Sequence, residues 1–264
     1  MTGACAYERV GSGEPLLLIH GVGSRRQIWA PVVPALSQRH DVISVDLPGF
    51  GESPVGAGSS IDQLIAAVTA LLRELGIDRP HLAGNSMGGG IALELGRRGQ
   101  AASVTAFSPI GFWKRPGRIW TQQALRAERS LGRALRPAIP RLLATTVGRG
   151  ALAGLVFGRP SRLDPSVLLG DVDGLLTADG FDQASASFSG HRFAGAGALA
   201  DIPVTVAWGS RDILLTYATQ HRRARAALPT ARHVTLPSCG HTPFYDDPAL
   251  CARTILETTA SVRT

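Results

Sequence analysis

The chain predicts an α/β fold: a mostly parallel central sheet flanked by helices, with a helical cap inserted between two of its strands. Three observations carry this. Short apolar runs alternate with amphipathic stretches of helical period. The runs are apolar on both faces, as strands covered by helices on both sides must be. Residues 110–190 hold helical patterns but no such run.

The strand candidates are residues 16–19, 41–46, 79–83, 102–107, 203–208 and 233–236, each bounded by turn residues. Only fifteen residues precede Leu16, so a first edge strand is expected to be short or missing. The clearest helix covers 61–75. There Ile61, Leu64, Ile65, Val68, Leu71, Leu72 and Leu75 share one face at 3.6-residue spacing. Ser60 and Gln63 form a capping box before it, and Gly76 is placed to end it. Further helices are expected from Met87 toward Arg98, closed by Gly99, and from Pro248 to about Ser261.

The break in alternation divides the chain. Residues 1–109 and 191–264 form the expected core, and 110–190 the cap. Trp120, Ala124, Ala127, Leu131 and Leu135 make an apolar stripe within it. From Ile110 to Leu163 there are eleven Lys or Arg against one acid, Glu128.

Composition sets the class. With 264 residues, 44% apolar and 18% charged, the chain reads as one ordinary globular domain. The net charge of +7 raises the question of a nucleic-acid partner. Almost all the cations are arginine, Lys114 being the only lysine, and no nucleic-acid motif accompanies them, so no such partner is expected. Cys5, Cys239 and Cys251 show neither a disulfide framework nor zinc-ligand spacing. No secretory pattern opens the chain and no apolar run is long enough to span a bilayer. The expectation is a cytoplasmic monomer or homodimer without stable membrane insertion, needing no cofactor and no metal.

The chemistry gathers at strand ends. Gly84-Asn85-Ser86-Met87-Gly88 fits G-x-S-x-G between a predicted strand and a predicted helix, which exposes a serine at a sharp turn. A serine needs a base. His241, just after the last strand, is the candidate; His191, bordering the cap, is a weaker rival. The base needs a carboxylate to fix its tautomer. Asp212, four residues past the strand ending at Trp208, supplies it. Ser108 and Pro109, after the strand ending at Phe107, offer no acid. An oxyanion needs fixed N–H donors. The amide of Met87 is one, and the amide of Val22, in the loop after the first strand, is assigned as the other.

These residues together resemble the α/β-hydrolase superfamily, and its branch of serine esterases and meta-cleavage-product hydrolases. The resemblance rests on His20-Gly21, the run Asp46-Leu47-Pro48-Gly49-Phe50-Gly51-Glu52-Ser53, Gly84 to Gly89, Trp208 to Asp212, and Gly240-His241-Thr242-Pro243 with Asp246 and Pro248. It implies acyl transfer on a small ester-like substrate, an ester, lactone or thioester, through an acyl-enzyme. Relatives that use an aspartate at the elbow are set aside because the residue is Ser86. The elbow also resembles that of carbon–carbon bond hydrolases, although those usually place tryptophan where this chain has Thr242. A non-hydrolytic tailoring enzyme or a ligand receptor is the remaining alternative. Phe112, Trp113, Leu155 and Phe157 are the candidate substrate-binding residues; arginines facing the pocket would imply an anionic substrate. Arg118, Arg126, Arg129, Arg133 and Arg136 lie mostly off the apolar stripe, as on a solvated helix face.

Overall fold

A computed structural model describes residues 5–262. Seven strands form one sheet: β1 (Tyr7–Gly11), β2 (Glu14–Ile19), β3 (His40–Val45), β4 (His81–Asn85), β5 (Ser103–Phe107), β6 (Val204–Gly209) and β7 (Arg232–Leu236). Their order is β1-β3-β2-β4-β5-β6-β7, and only the β1–β3 pairing is antiparallel. The edge strand expected to be short or missing is β1. It is short and its five residues are all exposed, because a sheet edge has a neighbour on one side only.

The α-helices are α1 (Val33–Leu36), α2 (Ile61–Glu74), α3 (Met87–Arg97), α4 (Arg115–Leu135), α5 (Ile139–Leu143), α6 (Thr146–Ala153), α7 (Pro165–Thr177), α8 (Phe181–Ser187), α9 (Tyr217–Ala227) and α10 (Pro248–Thr259). Helix α2 starts where the sequence places it. Ser60 accepts from the Gln63 amide, and Gln63 accepts from the Ser60 amide. Its six buried apolar residues, Ile61 to Leu72, cover one face of the sheet.

The pleat sorts the core into two layers. Leu17 and Ile19 pack with α2 and α3, whereas Leu16 and Leu18 pack with Trp29, Phe244 and Ile255 of α10 on the other face. Strands β3, β4, β5 and β6 are buried throughout. β7 departs from the expectation of a two-sided strand. As the far edge it is mostly half-buried or exposed.

Helices α4 to α8 occupy the stretch between β5 and β6, and no strand interrupts them. Here only part of the apolar stripe expected of α4 meets the core: Ala124 and Leu135 pack against it half-buried. Trp120 and Leu131 are 49% and 54% exposed. The buried face consists of Thr121, Gln122, Leu125, Arg129 and Gly132. Arg129 fixes this face. Its guanidinium donates to the carbonyls of Leu175 and Ala178 and to Asp182, and it lies over the ring of Phe181. The residue that holds α4 against α7 and α8 is thus one that periodicity assigns to solvent.

Candidate active site

Strand β4 runs straight into α3, and the turn between them is tight enough to exclude side chains. A Cβ on Gly84 would stand 2.2 Å from the Gly88 carbonyl oxygen, and one on Gly88 would stand 2.1 Å from that of Ile19. Ser86, between them, takes φ 56° and ψ −115°, a conformation costing on the order of 1–3 kcal/mol for a residue with a Cβ. Its backbone is held from both sides: the Ser86 amide donates to Phe107, and the Ser86 carbonyl accepts from Gly90 and Ile110. The turn places the serine beneath the N-terminus of α3, where the first amides of a helix have no partner within it.

His241 and Asp212 meet at the ends of β7 and β6. His241 Nδ1 lies 2.8 Å from Asp212 Oδ2, with both side chains buried. The other carboxylate oxygen, Oδ1, accepts from the amides of Leu214 and Leu215 at 3.0 and 2.8 Å. Asp212 is therefore saturated and oriented before any substrate arrives. Asn85, adjacent to the serine, donates through Nδ2 to the carbonyl of His241 at 3.0 Å. That bond ties the histidine loop to the serine turn.

The loop after β2 closes over this group. His20 is fully buried and bonded at both ring nitrogens. The Leu47 amide donates to Nε2 at 3.0 Å, which leaves Nδ1 to donate to the Gly21 carbonyl at 2.7 Å. Burial lowers its pKa, in keeping with the neutral ring. A trans peptide points its N–H opposite its C=O, so fixing the Gly21 carbonyl also fixes the direction of the Val22 amide. Gly21 itself abuts the serine. A Cβ there would come within 3.0 Å of Ser86 Cβ.

Asp46 knits the neighbouring loop. It pairs with the buried Arg26 and accepts from the amides of Arg26 and Glu52. Asp246 does the same on the far side. Its carboxylate accepts from the amides of Gly158 and Arg159 in the helical insert and of Gly240 beside the histidine, each at 2.8 Å. The Thr242 amide adds a bond to the Val156 carbonyl. The link between α6 and α7 is thereby stitched to the histidine loop.

A cavity of about 80 Å³ brings these parts together, with Ser86, His241, Val22 and Phe157 in its wall. A second cavity of about 240 Å³ lies within the insert, between α4, α6 and α7. Leu155 lines this one. Phe112 and Trp113 line neither. Their rings stack on Phe193 and Phe188 and are 5% exposed, which makes them core. Among the described residues no lysine or arginine lines either wall. His191 also lies elsewhere, against Gly90 and Gly111. Cys239 is enclosed, and burial pushes its thiol up to about 12, which leaves it inert.

Two wall residues escaped the sequence reading. Glu128 of α4 and Asp171 of α7 both face the first cavity, and burial pushes each carboxyl up to about 7. The signal for Glu128 was its isolation as the single acid among eleven cations. For Asp171 only the fold reveals the position.

Comparison with known proteins identifies the family and the fold. The model of the alpha/beta hydrolase family matches residues 16–254. The chain is 33% identical over 245 residues to the dihydrolipoyllysine-residue acetyltransferase component of the acetoin cleaving system of Cupriavidus necator, covering 89% of this chain and 61% of that protein's length. A shorter stretch of 93 residues is 45% identical to the pimeloyl-[acyl-carrier protein] methyl ester esterase of Aeromonas hydrophila, covering 34% of this chain and 35% of the relative. A thermophilic esterase from Thermogutta terrifontis superposes with a TM-score of 0.73 at 24% identity, covering 98% and 94% of the two chains, and so shares the fold. The family match over residues 16–254, with a serine elbow on a seven-stranded, mostly parallel sheet, means that the chain belongs to the alpha/beta hydrolase family.

Proposed function

We propose that the protein is a serine hydrolase that cleaves a carboxylic ester through an acyl-enzyme. The observation that carries this is Ser86 at a strained elbow, sharing one cavity with a histidine whose Nδ1 is 2.8 Å from a saturated aspartate.

Ser86 Oγ attacks the substrate carbonyl as His241 Nε2 takes its proton. Nδ1–H stays on Asp212, which stabilises the imidazolium. The amides of Val22 and Met87 hold the oxyanion, the first set by the His20 bond to Gly21 and the second by the N-terminus of α3. The alcohol leaves with the proton from His241, and water then attacks the acyl group by the same relay. Residues 110–190 serve as the cap, since α4, α6 and α7 supply most of the wall opposite Ser86.

Turnover of p-nitrophenyl esters by the wild type and by Ser86→Ala tests this. The expected result is sustained hydrolysis that disappears in the variant. A folded wild type that hydrolyses no ester would shift weight to carbon–carbon bond cleavage, which the elbow also resembles.

A further inference from the structure

The two cavities share four wall residues, Glu128, Leu152, Val172 and Leu175, so they adjoin. Three of the four are aliphatic. The fourth is a carboxyl at the junction between the serine chamber and an otherwise apolar chamber. The placement of Glu128 is contrary to its surroundings. In a segment with eleven cations its carboxyl turns away from all of them, and burial alone accounts for its raised pKa. Three arginines of α4 and the one at its C-cap go elsewhere: Arg129 to backbone carbonyls of α7 and its C-cap, Arg133 to the Leu176 carbonyl, Arg118 to Gln122, and Arg136 to Asp173.

Asp171 gives a second, independent observation. It lines the serine chamber from α7, and its Oδ2 is shut off from solvent without accepting a hydrogen bond from any described residue. Among the described residues Arg25 is the cation that bears on it; Arg25 packs against α7 at Gly170 and Gly174 without forming an ion pair with Asp171. A buried acceptor without a partner destabilises the fold, and more so when charged. An apolar substrate would leave that cost in place, an anionic one would add repulsion, and a donor would remove it.

Resting on the ester-hydrolase reading, we propose that the pocket takes an ester with a hydrogen-bond-donating group, an ammonium or a hydroxyl, held by Glu128 with Asp171 behind it, and rejects anionic esters. The apolar remainder of the substrate lies in the second chamber against Leu155 and Leu175. This reverses the anionic preference that pocket arginines would have implied.

The test compares kcat/KM for p-nitrophenyl esters of matched length: 6-aminohexanoate, 6-hydroxyhexanoate, hexanoate and the adipate monoester. The amino or hydroxy ester should exceed the adipate ester by about tenfold or more, as a charge-assisted contact allows. The higher of the two identifies the donor. In Glu128→Gln that ratio should fall to within about threefold; a general loss of activity cancels in the ratio. A ratio that survives in Glu128→Gln, a preference for adipate, or hexanoate exceeding both donor esters would each overturn the proposal. Calorimetric binding of hexylamine and hexanoate to Ser86→Ala requires no turnover. Amine binding that is lost on adding Glu128→Gln would uphold the pocket even if every ester proved inert, and equal binding of amine and acid would sink it while leaving the hydrolase reading intact.

Discussion

The sheet and the helical insert solve the same problem in opposite ways. In the sheet, four consecutive positions of β2, Leu16 to Ile19, are fully buried and divide between two apolar layers. In the insert, α4 spans twenty-one residues and buries only five, among them an arginine, a glutamine and a threonine. Ala124, Ala127 and Leu131 of its apolar stripe line a cavity. A core that excludes solvent from both faces gives the serine turn a close-packed base. An insert held by polar bonds can enclose a chamber, because its apolar residues are not all used in packing.

The difference can be broken at its strongest point first. Asp212→Asn should lower turnover by about ten-thousand-fold with the fold intact, since the framework would then hold the wrong tautomer of His241. Steady-state kinetics with circular dichroism decide this; a loss of less than tenfold would remove Asp212 from the mechanism.

Packing comes next. Leu17→Ala should cost about 2–5 kcal/mol in urea unfolding, whereas Leu131→Ala, half-exposed in the insert, should stay within about 0.5 kcal/mol. Equal losses would erase the distinction between the two regions.

The chamber carboxyls predict a pH signature. Burial raises Glu128 from 4.5 to about 7, so the folded state holds this proton more tightly than the unfolded chain. Its contribution is full below about 4.5 and is lost as pH rises toward 7. At pH 8 the loss amounts to roughly 3 kcal/mol at most. Glu128→Gln, which does not titrate, should therefore gain stability relative to wild type between pH 4.5 and 8. A stability difference that is flat across that range would show that Glu128 is solvated.

The stitch between the regions should give the smallest activity effect. Asp246→Asn keeps the shape but weakens bonds to three amides, so about 1–3 kcal/mol of stability should go. Activity should fall about tenfold as the His241 loop loosens. Unchanged kinetics would confine Asp246 to a purely structural part.

These contrasts also explain what was legible. Strand runs, the α2 capping box and the Gly84–Gly88 turn are local patterns, and local patterns survive in a linear chain. The placement of Ser86, Asp212 and His241 at three strand ends was readable because a strand's place in the sheet follows from its order; the His241–Asp212 contact and the cavity wall shared by Ser86 and His241 came only from the fold. Phe112 and Trp113 were misplaced because an aromatic next to a predicted cap packs equally well inward or outward, and only Phe193 and Phe188 decide it. Arg129 and Asp171 were illegible for the same reason. The carbonyls that hold Arg129 and the chamber that Asp171 lines are set by other helices, at separations no period encodes.

The bonds of Asp246 to Gly158 and Arg159 also have a bearing on how such a molecule can be recombined. Exchanging residues 110–190 whole for another insert would remove two of the three amides that Asp246 holds, and with them the Val156 carbonyl that receives Thr242. Crossovers placed on either side of α4–α6, before Val156, leave that joint with the histidine loop. The exchangeable module is therefore shorter than the strandless segment: the link between α6 and α7, with α7 and α8 after it, travels with the active site.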